Sequence, residues 1–165
     1  MNRTEDLNLW VRYMGIRLAE LSDFNIVKMI TVATIKEIYP HYYPKGTVTF
    51  FINHHSDENI TNDILNNYVF LYSDLKGNIV GTVTVKKNEI CRLFVLPQYQ
   101  GNGYGKEMLK FAEKEISKHY EEIILDASLS AKAIYLKMGY KETEYHIIKT
   151  EQNDYLCYDV MKKQL

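Results

Sequence analysis

The chain has 165 residues, 46% of them hydrophobic and 25% charged, with a formal net charge of −1. That is the size and balance of one globular domain (residues 1–165) with enough apolar side chain for a real core, and it excludes recruitment of nucleic acid or an anionic membrane by a global field. No apolar run approaches membrane-spanning length, the polar N-terminus (Met1 to Asn8) has no signal-peptide core, and Cys91 and Cys157 make neither a disulfide framework nor a metal spacing, which suits a reducing cytoplasm.

In chain order, Tyr13 to Ala19 reads as a first strand. Ser22 or Asp23 caps a helix running to about Ile38, with apolar residues at helical spacing from Ile26 to Ile38. Pro40 and Pro44 break it. Thr47 to His55 has β-branched residues that favour strand and is expected as a short helix from the family order given below. Thr61 or Asn62 is expected to cap a helical piece through Leu65. Tyr68 to Ser73, Ile79 to Lys87 and Glu89 to Leu96 make an antiparallel meander, with turns at Asp74–Asn78 and Lys87–Asn88. Lys106 to His119 carries Met108, Leu109, Ala112 and Ile116 on one helical face. Glu122 to Ala127, with apolar Ile123, Ile124 and Leu125, reads as a central buried strand. Ala131 to Met138 is a short helix closed by Gly139. Tyr140 to Ile148 and Tyr155 to Met161 form a final hairpin. The sum is a mixed α/β sheet with helices on both faces.

The stretch from Val95 to Lys106 carries the most information. It passes from strand to helix through Gly101, Gly103 and Gly105. Glycine permits positive φ and close approach, and a helix start offers free N–H groups and partial positive charge. Strand, glycine loop and helix N-terminus together read as a phosphate cradle. It is not the dinucleotide fingerprint, because the third glycine comes one residue early. It is not a P-loop either, because Glu107 follows Gly105-Lys106 where a hydroxyl is needed.

Gln100-x-x-Gly103-x-Gly105 after Val95-x-Pro97, followed by Ala131-x-x-Ile134-Tyr135-x-x-x-Gly139-Tyr140, resembles two motifs of the Gcn5-related N-acetyltransferases (GNAT) in their family order. The resemblance implies the GNAT fold, a mostly antiparallel mixed sheet flanked by helices. It implies acetyl-CoA as co-substrate, no metal, and an amine acceptor. Backbone N–H groups of Gln100, Gly101, Asn102, Gly103, Tyr104 and Gly105, with Lys106 at the helix start, would bind the pyrophosphate. Leu93, Phe94 and Val95 would lend backbone groups to the pantetheine arm, the N–H of Phe94 or Val95 polarising the thioester carbonyl. Glu89 stands where the histone acetyltransferase branch has its catalytic base, and shares a face with Val95 if the strand is regular. Tyr135 is the acid for the leaving thiolate. Ser128 stands where many members have a pantetheine-binding asparagine, and its hydroxyl is shorter.

Other residues have plainer readings. His54 and His55 lack zinc spacing and suit a surface or groove-lining place. Cys91 reads as a small core residue rather than a nucleophile. Asp126 is either a buried acid near the site or the polar end of its strand. Segments 39–60 and 143–158 are expected to wall the acceptor groove, with Tyr39, His41, Tyr42, Tyr43, His54, His55, Tyr145 and Tyr155, while Asp57, Glu58 and Asp63 keep a polyamine acceptor open. The expected activity is direct acetyl transfer to a small-molecule primary amine, with a peptide or protein amine second. A non-catalytic acyl-CoA sensor and transfer of a longer acyl chain stand as alternatives. A homodimer through the tyrosine-rich final hairpin (14 tyrosines in the chain) is also expected.

Overall fold

The computed structural model describes residues 15–165; the start of the expected first strand (Tyr13 and Met14) and the Met1 to Asn8 segment lie outside them. Strand β1 (Ile16–Leu18) leads through a 3-10 turn into helix α1 (Phe24–Ile38), which is followed by α2 (Lys45–His54) and α3 (Asp57–Leu65). Strands β2 (Val69–Ser73), β3 (Ile79–Lys86) and β4 (Glu89–Val95) follow, then α4 (Tyr104–Ser117), β5 (Glu122–Ala127), α5 (Lys132–Lys137), β6 (Lys141–Lys149) and β7 (Tyr155–Gln164). They build one seven-stranded sheet in the order β1-β2-β3-β4-β5-β7-β6. All neighbours are antiparallel except β4 and β5.

Several expectations shift by local chemistry. Helix α4 starts at Tyr104, two residues early, because Gly103 takes φ +85° and ends the loop there. Helix α3 is capped by Ser56, whose Oγ accepts from the Asn59 N–H at 3.2 Å, so Thr61 and Asn62 lie inside it. Asp23 precedes α1, but its carboxylate is taken by Arg17 and by the Glu20 N–H. The stretch from Thr47 to His54 is helical despite its β-branched residues, and His55 caps its end.

The sheet separates two apolar cores. On one face, Met108, Leu109, Ala112 and Ile116 of α4 meet Val83, Ile90, Ile123 and Leu125. On the other, Val27, Ile30 and Ile35 of α1 and Ile60 and Ile64 of α3 meet Val69, Leu71 and Phe94. Successive residues of β2 alternate between them, as strand geometry requires.

Strand β4 breaks that alternation. Thr84 pairs with Arg92 but Val85 pairs with Ile90, so Cys91 is an extra, bulged residue. Cross-strand partners share a face. The bulge therefore puts Glu89, Arg92 and Phe94 on the α1–α3 side, and Ile90, Leu93 and Val95 on the α4 side. The expectation that Glu89 shares a face with Val95 held only for a regular strand and is corrected. Strands β4 and β5 pair only at Glu89–Ile124 and Ile90–Leu125, then part. The gap they leave positions the site.

Candidate active site

The gap opens on two cavities. One, of about 380 Å³, lies at the start of α4; the other, of about 400 Å³, lies between the sheet and α2. Tyr39, Leu93, Phe94, Ser128, Ala131 and Tyr135 line both, so the cavities meet at the gap.

The first cavity gathers most of the residues singled out in the sequence. Leu93, Phe94, Val95, Gln100, Gly101, Gly103, Tyr104, Gly105, Lys106, Ser128 and Tyr135 line it; Asn102 does not. The first intrahelical bond of α4 runs from the Glu107 N–H to the Gly103 carbonyl at 3.1 Å. The N–H groups of Gly103, Tyr104, Gly105 and Lys106 therefore have no partner within the helix and form an anion site at its positive end. Gly101 and Gly103 both take positive φ, and a Cβ on either would meet open space. Glycine is needed there for the backbone, and the emptiness leaves room for a ligand.

Gln100 and Asn102 build the loop from within. The Gln100 N–H is turned onto the Pro97 carbonyl at 3.2 Å, which takes it out of the expected row of pyrophosphate donors. Its side chain donates to the Val95 carbonyl at 3.0 Å, with the Thr34 hydroxyl 3.2 Å from the same oxygen. Asn102 Nδ2 donates to the Tyr99 carbonyl at 2.9 Å.

Those bonds also settle which backbone groups face the gap. The Val95 carbonyl is off the β3 ladder, whereas the Leu96 N–H is on it, donating to Val80 at 2.9 Å. N–H and C=O of one strand residue point to the same side, and neighbours alternate. Leu93 and Val95 therefore turn their N–H groups to the gap, and Phe94 turns its own to β3. Of the two expected carbonyl-polarising groups, only the Val95 N–H has that direction.

Tyr135 is 9% exposed, packs edge-on to Tyr140 at 5.6 Å, and lies where the cavities join. Burial pushes its phenol up to about 12, so it holds its proton at neutral pH. Helix α5 is pinned by Lys132, which pairs with Asp159 at 2.8 Å and with Glu142. The Tyr43 hydroxyl accepts from the Leu129 N–H at 2.7 Å. Ser128 Oγ lies 3.0 Å from Ser130 Oγ.

The second cavity holds Glu89 and Asp126, both exposed along one edge, and partial desolvation against the cavity wall pushes the Asp126 carboxyl up. Cys91 also lines it; burial, then the Glu89 charge, push its thiol up to about 12, which makes it a poor nucleophile at neutral pH. The expected aromatic wall is only partly correct. Tyr39, His54 and His55 are in it, joined by Phe50, Phe51 and Tyr158, which sequence reading passed over, and by Phe94, expected only at the pantetheine arm. Tyr43 is buried beneath it, and Tyr42, Tyr145 and Tyr155 are exposed elsewhere. Of Asp57, Glu58 and Asp63, the first pairs with Lys28 and the last with Lys86 and Arg92, and none of the three lines the second cavity.

A profile of the acetyltransferase (GNAT) domain matches residues 38–164. The chain belongs to the GNAT family. This acetyltransferase is 28% identical over 167 residues to an N-alpha-acetyltransferase of Sulfolobus acidocaldarius, covering 87% of this chain and 89% of that one. Its fold is similar to that of a GCN5-related N-acetyltransferase from Rhodopseudomonas palustris, with TM-score 0.83, 21% identity, and 92% and 95% of the two chains covered. It is also similar to a putative acetyltransferase from Salmonella typhimurium solved with its cofactor acetyl-CoA, with TM-score 0.64, 17% identity, and 91% and 92% covered. Among the described residues of the acetyltransferase, no helix is long and apolar enough to cross a membrane, and no group of three or more His, Cys, Asp or Glu side chains could hold a metal ion.

Proposed function

We propose that this chain is an acetyl-CoA-dependent N-acetyltransferase that moves the acetyl group directly to a primary amine within a ternary complex. The observation that carries this reading is the meeting of two cavities at Tyr135 and the β4–β5 gap. A donor entering from the α4 side and an amine entering from the α2 side would face each other there without a covalent enzyme intermediate.

Acetyl-CoA, when bound, supplies the acetyl thioester. The N–H groups of Gly103 to Lys106 would hold its pyrophosphate. Leu93 and Ser128 would flank the pantetheine arm. The Val95 N–H would donate to the thioester oxygen as negative charge develops there. Glu89 would take one proton from the acceptor ammonium, directly or through water, so that the free amine attacks; Tyr135 would give its proton to the departing sulfur, and the proton that the new amide nitrogen sheds would restore the phenol. The acceptor is a small-molecule primary amine in this reading. A peptide α-amine is the second reading, favoured by the relative in Sulfolobus acidocaldarius that carries the name N-alpha-acetyltransferase.

The test is thiol release with acetyl-CoA across a panel of small amines and short peptides. Initial-rate lines that intersect would fit a ternary complex; parallel lines would sink it. No release with any amine, despite tight CoA binding, would sink the proposed function itself. The free cysteines Cys91 and Cys157 fit a cytoplasmic setting. Edge strand β6 exposes Tyr145 and Ile147, a surface suited to a second copy of the chain; a monomer mass by light scattering at working concentration would remove that dimer.

A further inference from the structure

Arg92 lies under the second cavity with its side chain 3% exposed. Its Nη2 donates to Asp63 Oδ2 at 3.1 Å, its Nη1 to the Thr84 hydroxyl at 2.9 Å, and its Nε to His55 Nδ1 at 3.3 Å. A guanidinium has donors only and keeps its proton. His55 Nδ1 must therefore carry a lone pair, and a neutral ring then has its hydrogen on Nε2. The doubly protonated ring is opposed from several sides. Burial, followed by the charges of Arg92, His54, Lys28 and Lys86, pushes the His55 pKa down to about 3. Lys86 and Arg92 are themselves balanced by Asp63, and Lys28 by Asp57.

Among the described residues nothing accepts from His55 Nε2, and that atom is not sealed in the core. The ring lines the second cavity, where a ligand could meet that N–H. The ring is held edge-on to Phe94 at 5.6 Å, and Phe94 reaches the junction of the two cavities. The result is a neutral donor of fixed tautomer in the wall of the second cavity, with nothing among the described residues to donate to.

We propose that His55 recognises a carbonyl-type oxygen on the acceptor, a few bonds from the reacting nitrogen, so that amines bearing an adjacent carbonyl are chosen over plain alkylamines. This rests on the N-acetyltransferase reading above. A neutral donor suits that task. It does not repel the ammonium form of an arriving acceptor, as an imidazolium would, and a carbonyl oxygen that reaches it gains a hydrogen bond that a plain alkylamine cannot make. A plain alkylamine leaves the donor unmet.

The test compares leucinamide with isopentylamine, which has the same side chain without the carboxamide, in wild type, His55→Leu and His55→Gln. The ratio of kcat/KM for the two amines should fall about tenfold in His55→Leu. It should be largely kept in His55→Gln, whose amide can accept from Arg92 and donate to the cavity. Comparing ratios between proteins cancels the different basicity of the two amines. CoA binding by calorimetry checks that each variant is folded. In parallel, nitrogen-15 spectra of histidine-labelled wild type should show the His55 hydrogen on Nε2, and that signal should move with leucinamide but not with isopentylamine. An unchanged ratio in folded His55→Leu, a hydrogen on Nδ1, or equal or absent movement with both amines would overturn the proposal. Failure of both amines to react, with the Nε2 signal still moved by leucinamide alone, would count against the acetyl-transfer reading while leaving the His55 contact standing.

Discussion

Tyr135, the acid of the proposed mechanism, is placed by burial more than by bonds. Its phenol is buried where the two cavities meet, and burial alone pushes its pKa up to about 12. A group so shifted is protonated throughout the working range, which keeps the proton available but makes the phenol a weaker acid, so its transfer to sulfur would depend on close positioning as the thiolate leaves. Tyr135→Phe is expected to lower kcat about a hundredfold, within the usual range for a positioned acid, while CoA binding by calorimetry stays within a fewfold of wild type. An alkaline fall in kcat centred below about pH 10 would belong to another group, because Tyr135 would begin to lose its proton only nearer 12. Tyr135 is legible in the sequence because the residues that place it lie within a few positions of one another. Arg92, His55 and Asp63 are not: 37 positions separate Arg92 from His55 and 29 separate it from Asp63, and no local pattern announces their meeting.

At the scale of elements, hydrophobic period and turn chemistry told most of the chain order, since each reports on its own few residues. The Cys91 bulge escaped, because a bulge is a mismatch between two strands and each strand alone looks regular. The bulge decides which side of the sheet Glu89 serves, so its loss from view cost the sequence reading its one geometric statement about that carboxylate. The loop before α4 was legible in its glycines. There Gly103→Ala would meet no clash, only the strain of φ +85°, worth about 1–2 kcal/mol. About tenfold weaker CoA binding, with little change in acceptor KM, is the expected result. The end of the β6–β7 hairpin is docked by Asp154, which accepts from the Gly46 N–H at 2.8 Å and from the Thr150 hydroxyl at 2.5 Å. Thr150, then Gly46, hold its carboxyl below the usual range. Asp154→Ala should loosen that hairpin from α2 and raise the acceptor KM while CoA affinity is kept; an equal loss of both would mean the hairpin supports the whole gap.

Across the molecule, two cores are divided by a sheet that is itself parted between β4 and β5, so the site is paid for with lost strand pairing at its centre. The Arg92 cluster stands beside that parting. It ties β3 through Thr84, α3 through Asp63 and the end of α2 through His55 into one bonded group. The cluster makes a testable claim about acid stability. The His55 pKa is about 3 when folded, against an ordinary value of 6.5. Between those values the unfolded chain binds a proton that the folded chain refuses, so folding weakens as pH falls through the window. The contribution is intact above about 6.5, and its slope approaches 1.4 kcal/mol per pH unit below that. Urea unfolding followed at several pH values from 7 to 4 should therefore show wild type losing stability steadily. His55→Gln, which offers Arg92 an acceptor that does not titrate, should lose less over the same range. Equal slopes in the two proteins would mean that His55 is protonated in the folded state, and that the tautomer argued from Arg92 is wrong.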